Sequence, residues 1–559
     1  MQVTGVAAMS WNGVQRSPRQ AGQEVVVMST EEVCGGNRPS ATAGAECSNS
    51  TLIIDRRHAM TDSIQGRMAR GAAWMVLFKL VERSLGLIST LILARLLVPG
   101  DFGVVAMAMS FVLMAELLTA FGFDVAIIQN QNATEEHYST AWTGNLLLGV
   151  GITVLMLVAA WPIASFYGRP ELALVVCALA LGPLFSGAEN IGIVAFRKEL
   201  DFRREFKFQI TRKLIAFAVV VPMALVFRNY WALVAGTLVS KLGSTVISYL
   251  MHPFRPRFTL VQIKPMMHFS RWLLFNNAVS FLKERSSDFF IGRFHGAPAL
   301  GLYNIAYEFA HLPTTELGAP INRALVPGFA KLSLAEDIRA AYRNAVAMLA
   351  TVALPAAAGI FAVAPLLVPV VFGPKWLAAV PLMQLLCFNG ALLLFHSSIC
   401  AVLVARGHPA RVTRVNAIYV LVLLCGLAVG SQLGGVEWAA VAALATSFAC
   451  TPIYLYEMKR SLGVAPGVFV SALVRPVVAS GAMLATLLFV LPGRDHGLPL
   501  PAAVFWLGLG IGLGAVVYLA VLLIAWIAAG KPDGPEQMLA DRLRARLARA
   551  APPVQGSHH

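Results

Sequence analysis

Lys79, Glu82 and Arg83 stand at i, i+3 and i+4 of an apolar stretch of helix length, residues 72–97. That spacing puts all three on one helix face. A second such stretch, residues 269–292, carries Lys283, Glu284, Arg285 and Asp288, with Glu284, Arg285 and Asp288 on one arc. Burial in hydrocarbon costs about 2.5–3.5 kcal/mol for each such group even on a lenient scale, so they must face a wet cavity or one another. Glu116, Lys241 and Glu308, and also Glu189, His311 and Glu316, interrupt other apolar stretches. The cations Lys79, Arg83, Lys241, Lys283 and Arg285 suit a phosphate or pyrophosphate head group, arginine through paired donors and lysine as a compact charge. The carboxylates Glu82, Glu116, Glu284, Asp288 and Glu308 suit either pairing with those cations or holding a coupling cation or proton. Static ion pairs that glue helices together would explain any single carboxylate. They explain the whole set less well, because packing rarely needs so many costly ions.

Such charges need helices to hold them. The chain of 559 residues is 57% apolar and 13% charged, with mean hydropathy +0.69, which excludes an ordinary soluble domain. A helical span takes about 20 apolar residues. Fourteen segments reach that length: 72–97, 102–123, 141–165, 171–194, 211–228, 231–251, 269–292, 299–326, 340–363, 376–404, 412–432, 437–457, 468–491 and 501–529. The net charge of +15 would suit nucleic acid, but its placement argues against that partner. With the N-terminus inside, inward loops hold clusters such as Arg203, Arg204 and Lys207, then Arg255 and Arg257, while outward loops hold few, among them Arg169, Arg228, Lys375 and Arg494. This asymmetry predicts a multi-pass protein with both termini cytoplasmic. One inward loop, Asp124 to Thr140, breaks the pattern by lacking any Lys or Arg.

Residues 1–59 are rich in Gly, Ser and Thr without the apolar core of a signal peptide, so they read as a disordered extension, with Met60 as the natural start. The expected organisation is an N-lobe at 60–251 with helices one to six, a basic cytoplasmic linker at 252–268, and a C-lobe at 269–457 with helices seven to twelve. Two further helices occupy 458–530, and a basic cytoplasmic tail with Arg542, Arg544, Arg546 and Arg549 fills 531–559. An internal repeat supports the lobes: Arg95 matches Arg293, Gly103 matches Gly301 and Phe111 matches Phe309, all at an offset of 198. Six spans separate the copies, so both have the same membrane orientation and the halves relate by an axis along the membrane normal. The fold class is therefore an all-α polytopic membrane protein, about fourteen helices in two pseudo-symmetric six-helix lobes plus two C-terminal helices. Prolines bend several spans, and Pro313 with Pro320 in span eight is the best hinge candidate. Trp161, Tyr167, Tyr230, Trp231, Tyr303 and Trp376 near span ends read first as interfacial anchors.

No catalytic set emerges. Five of seven cysteines lie in spans, without a CxxC pair, and neither a HExxH nor a GxxxxGK[ST] phosphate loop is present. The outward loops are too short for the external loop of a glycan polymerase.

The run ILARLLVPGDFGVVAMAMSF followed by FGFDVAIIQ, with FRKELDFRREF after span four, GLYNIAYEFAHLP in span eight and FGPKW at Phe372–Trp376, resembles the polysaccharide transporter family of Wzx-type flippases. The resemblance covers roughly residues 63–460 and groups the chain with multidrug (MATE) extruders and lipid II flippases. It implies a MATE-like fold and translocation of undecaprenyl-pyrophosphate-linked oligosaccharide from the cytoplasmic to the periplasmic leaflet of the bacterial inner membrane. Capsule, exopolysaccharide or lipopolysaccharide assembly would use the product. It also implies membrane lipids as surroundings, a polysaccharide polymerase and chain-length regulator as partners, no cofactor, and Na+ or H+ as coupling ion. Family motifs transfer no residue role, so the cavity charges rest on the reading above. Two competitors are a MATE-like exporter of organic cations, which would favour an acidic aromatic cavity, and a non-transporting scaffold for glycan assembly.

Overall fold

A bilayer offers the backbone no hydrogen-bond partners, so apolar runs of this length must satisfy their own peptide groups as helices. The computed structural model describes residues 79–531 except 118–122, 131, 200, 264–270, 333–334 and 493–498, together with Gln537. The expected extension at 1–59, the start at Met60, the end of the linker and nearly all of the basic tail lie outside the described residues.

The elements in order are α1 (79–96), α2 (Pro99–Glu116), α3 (Phe123–Gln129), α4 (Glu135–Tyr167), α5 (Glu171–Leu179), α6 (Leu181–Gly187), a 3-10 turn (Ile191–Ile193) and α7 (Val194–Lys198). Then come α8 (Phe202–Phe227), α9 (Trp231–Met251), α10 (Arg271–Lys331), α11 (Ala335–Val371), a second 3-10 turn (Pro374–Ala379), α12 (Val380–Ala405), α13 (Pro409–Leu433), α14 (Glu437–Leu462), α15 (Pro466–Val490) and α16 (Leu500–Ala528). The assigned helix α10 breaks at Gly296, whose φ of 80° only glycine adopts readily, so it is two arms folded back on each other. Both Pro313 and Pro320 lie within its continuous second arm.

Among the described residues ten helices are long and apolar enough to cross a membrane, and a pair bent by 60° between Gly187 and Ile191 makes eleven. The remaining expected spans fall on α1, described only from Lys79, and on the two charged arms of α10. The protein is an all-helical, multi-pass membrane protein. Two local expectations change. Span two ends by Glu116, and a separate short helix, α3, occupies what read as loop. Span four is broken instead of continuous.

In the first part of the chain α8 packs along α9, and α4 against α5 and α6. In the second, α12 packs against α10, α11 and α14, and α13 against α14. The last two helices lie on α11, where Ala358, Val363 and Leu366 meet Met483, Leu487 and Tyr518, and the Tyr518 hydroxyl donates to the Thr351 carbonyl at 2.9 Å.

The two parts meet where α2 crosses the start of the second arm of α10. A Cβ on Gly103 would sit 1.7 Å from the Ala297 carbonyl oxygen, and one on Gly301 would sit 1.8 Å from that of Pro99. Pro99 and Ala297 are themselves separated by the repeat offset of 198, so the contact is self-complementary, each glycine receiving the backbone of the other copy. The matched phenylalanines behave alike: Phe111 meets Tyr167 at the end of α4 edge-on at 5.9 Å, and Phe309 meets Phe372 after α11 edge-on at 4.7 Å.

A reciprocal clasp closes the same end. Helix C-termini leave carbonyls without partners. Arg95 of α1 donates through Nε to the Val371 carbonyl at 2.9 Å, and through a second guanidinium nitrogen to Val370, at the end of α11. In return Lys375 donates to the Arg95 carbonyl at 2.9 Å, and the buried Trp376 ring donates to the Ala94 carbonyl at 2.8 Å. Cations at both C-termini also oppose the helix dipoles. Asp101 accepts from the backbone N–H of Val98 and of Tyr230, both at 3.1 Å, which fixes α2 to α9.

At the opposite end, residues 252–260 run extended across the start of α4. Backbone N–H groups of Arg257 and Thr259 donate to Ser139 at 3.3 Å and Thr143 at 3.2 Å. Lys198 donates to the Asn130 carbonyl at 2.9 Å. The loop that lacked Lys and Arg is therefore covered by basic segments from elsewhere in the chain.

Candidate functional site

The face of α1 predicted from spacing forms as expected, and it binds in two directions. Lys79 pairs with Glu82 at 3.0 Å, and Glu82 also meets Lys213 of α8 at 3.3 Å. Arg83 turns the other way, with Nε 3.2 Å from Glu316 and a terminal nitrogen 3.9 Å from Glu308, both on the second arm of α10. The Nε contact is close enough for an ion pair but lacks hydrogen-bond alignment. Arg83, Glu308 and Glu316 keep 27%, 35% and 43% of their side-chain surface accessible. Facing accessible charges of this kind to acyl chains would be costly.

The first arm of α10 carries the second knot. Arg285 pairs with Asp288 at 3.2 Å, and Asp288, buried, also accepts from Ser110 of α2 at 3.4 Å. This pair lies on the seam between α2 and α10. Glu284 is exposed on the same arm. Lys241 and Glu116 pair at 2.8 Å between α9 and α2.

Lys283 parts company with the other cations. Its ammonium donates to Asn416 Oδ1 at 3.1 Å and to the Tyr454 hydroxyl at 3.2 Å, and lies 4.6 Å from the Tyr419 ring centroid. Among the described residues no carboxylate comes within ion-pair range of it. Beyond Tyr419 a polar chain continues through Ser447 at 2.9 Å, Asn389 at 2.7 Å and His311 at 3.1 Å. Spacing could not reveal this pocket, because uncharged Asn, Tyr and Ser in separate spans leave no joint signal; His311 alone was visible. Lys283→Met is expected to keep thermal stability within about 1 kcal/mol of wild type in detergent melts. Asn416 and Tyr454 already bond each other at 2.8 Å, and no carboxylate is stranded by the loss.

Thus the structure gathers Lys79, Glu82, Arg83 and Glu308 between α1, α8 and α10, joins Arg285 to Asp288, and sets Lys241 with Glu116 and Lys283 each apart. Lys213 and Glu316 belong with the first group, and neither stood among the residues assigned to it from sequence. Among the described residues no group of His, Cys, Asp or Glu side chains could hold a metal ion.

Residues 92–381 match the family of polysaccharide biosynthesis proteins, and the chain belongs to it. It is similar to the lipopolysaccharide biosynthesis protein WzxC of Escherichia coli, 25% identical over 67% of this chain and 77% of that protein. It is also similar to the teichuronic acid biosynthesis protein TuaB of Bacillus subtilis, 27% identical over 83% and 97%, and to the succinoglycan biosynthesis transport protein ExoT of Rhizobium meliloti, 26% identical over 88% and 99%. Among solved structures, the lipid II flippase MurJ in an inward closed conformation superposes with TM-score 0.64, covering 81% of this chain and 99% of its own at 13% identity. An inward-facing multidrug MATE transporter gives TM-score 0.52 over 68% and 95% at 16% identity. At such identities these likenesses establish the fold alone, which this chain shares with both proteins.

Proposed function

We propose that this chain moves undecaprenyl-pyrophosphate-linked oligosaccharide units across the bacterial inner membrane by alternating access. The observation that carries the reading is the accessible, mixed-charge face of α1 against α8 and α10, set inside an apolar bundle whose far end is shut by backbone contact. With both termini cytoplasmic, the clasp end is periplasmic and the open charges face inward. Arg83, Lys79 and Lys213 then offer donors to a pyrophosphate head, and Arg285 lies further along the seam. Glu82, Glu308 and Glu316 hold those cations when no head group is present. The prenyl tail stays in lipid beside α1 and the second arm of α10, where Arg83 bridges the two. The two groups of helices act as the moving lobes. A polysaccharide polymerase and chain-length regulator receive the product. The relatives named for lipopolysaccharide, teichuronic acid and succinoglycan biosynthesis support a glycan cargo over an organic cation.

The test follows surface glycan and the sidedness of lipid-linked intermediates in a deletion strain. Loss of the chain is expected to trap lectin-inaccessible intermediates, released by the wild-type copy. Arg83→Ala is expected to restore export about tenfold less well, with Arg83→Lys intermediate. Unchanged export from a folded Arg83→Ala protein refutes the role of this face. Altered drug resistance without trapped intermediates points to the cation exporter.

A further inference from the structure

The fourth span is broken where an unpaired carboxylate sits. Between α6 and the 3-10 turn the chain bends by 60°, and Glu189 and Asn190 occupy the bend. Helix α9 receives this segment residue by residue. Thr245 donates to the Phe185 carbonyl at 2.6 Å, Ser244 donates to Glu189 Oε2 at 2.8 Å, and Ser248 accepts the Asn190 backbone N–H at 2.9 Å. From α4, Trp142 donates to the Ala188 carbonyl at 3.4 Å.

Glu82, Glu116, Asp288, Glu308 and Glu316 each have a cation within 4.0 Å, and Glu284 is exposed. Glu189 has only a hydroxyl: among the described residues no Lys, Arg or His lies within 4.0 Å of it. The charges that face it are all engaged elsewhere or acidic. Arg212 of α8 holds Gln209 at 2.7 Å, Lys241 of α9 holds Glu116 at 2.8 Å, Arg197 of α7 holds Glu205 at 2.8 Å, and Asp124 belongs to α3.

We propose that Glu189 is a proton-binding switch that sets the fit of the broken span against the segment joining the two groups of helices. A serine hydroxyl suits this task, because it donates to a carboxylate and accepts from a carboxylic acid without moving. A lysine or arginine there would hold the group permanently ionised. A bound metal cation is less well served: hard cations of the calcium and magnesium kind take about six oxygens, and the neighbouring Phe185 and Ala188 carbonyls are already used. The step is simple. Hydronium at the linker end transfers one proton to the carboxylate: one O–H bond breaks in the donor, one forms on Glu189, and water is left.

The readout lies one residue away. Asn190 donates through Nδ2 to the Phe254 carbonyl at 2.8 Å and to the His252 carbonyl at 3.4 Å, so the bend grips the extended segment that leads into α10. A charge gained or lost at Glu189 therefore acts on the tether between the moving parts. His252 is the other titratable group there, and burial pushes its imidazole below its usual value.

This inference rests on the transporter reading but is tested without glycolipid. Spin labels at Arg203→Cys and Arg414→Cys, both exposed, go into the full chain with its seven native cysteines replaced by alanine, reconstituted in phosphatidylethanolamine and phosphatidylglycerol vesicles. Double electron–electron resonance is then recorded in acid and in neutral buffer, with potassium or sodium as the salt. The wild-type distance distribution is expected to shift with pH, and Glu189→Asp to keep the shift. Glu189→Gln should lose it and rest at the acid distribution. Its infrared difference spectrum should lack one protonated-carboxyl band, while Asp124→Asn and His252→Gln leave the shift intact. A pH shift unchanged in Glu189→Gln, a shift that follows sodium instead of pH, or no wild-type shift overturns the proposal. Missing glycan export beside an intact pH shift counts against the flippase reading alone.

Discussion

Gly301→Val is expected to abolish export while leaving the protein folded and inserted. A Cβ there meets the Pro99 carbonyl at 1.8 Å, and backbone cannot swing aside as a flexible side chain can. The clash lies between α2 and α10, not within either group of helices, so each group keeps its own packing. Only the closed state of the clasp end is forbidden. A transporter that cannot shut one gate loses the alternation itself, and export should fall by well over about tenfold. Because the contact is self-complementary, Gly103→Ala, which puts a Cβ 1.7 Å from the Ala297 oxygen, should give the same phenotype. Gly236→Ala provides the contrast. Its Cβ meets the Val220 side chain at 1.8 Å within the α8–α9 pair, so it should lower stability without trapping the gate open. The direct readout is Ser110→Cys, buried at the seam, which should react with a membrane-impermeant thiol reagent faster when Gly301 or Gly103 is substituted than in the otherwise wild-type chain. Wild-type export from a folded Gly301→Val protein sinks the gate.

The helices were legible because hydropathy dictates them: a run of apolar residues in lipid has no other way to satisfy its backbone. The repeat was legible too, since Gly103 and Gly301 recur at a fixed offset, though only the folded chain brings each against the backbone of the other copy. Local charge spacing placed Lys79, Glu82 and Arg83 on one face. It could not place their partners, because Arg83 meets Glu316 and Glu82 meets Lys213 through helix packing, and packing register leaves no trace in a single sequence. Lys283 shows the same gap more sharply. Its neighbours Asn416 and Tyr454 are ordinary polar residues until folding brings them together. Lys375, read as a stray outward charge, caps the end of α1. The bend at Glu189 was missed because residues 171–194 are apolar enough to read as one straight span.

The second large effect concerns Arg285 and Asp288. Asp288 keeps 3% of its surface, and its partners are Arg285 at 3.2 Å and the Ser110 hydroxyl at 3.4 Å. Arg285→Ala strands that carboxylate where a hydroxyl alone must support it. Breaking a fully buried pair costs about 3–5 kcal/mol, and because Arg285 is 31% exposed the loss here should be about 2–3 kcal/mol. Asp288→Ala leaves the arginine with access to water and should cost less. The double variant Arg285→Ala/Asp288→Ala should recover much of the Arg285→Ala loss, since neither charge remains to be desolvated. That sign of coupling is the informative quantity in a double-mutant cycle of detergent melts. If the single losses simply add, the pair is not an interacting unit. If Arg285→Ala proves neutral, Asp288 is held by something other than its arginine. Export separates structure from transport: the double variant should be stable yet export poorly, because a seam without charge no longer offers donors to an anionic head group.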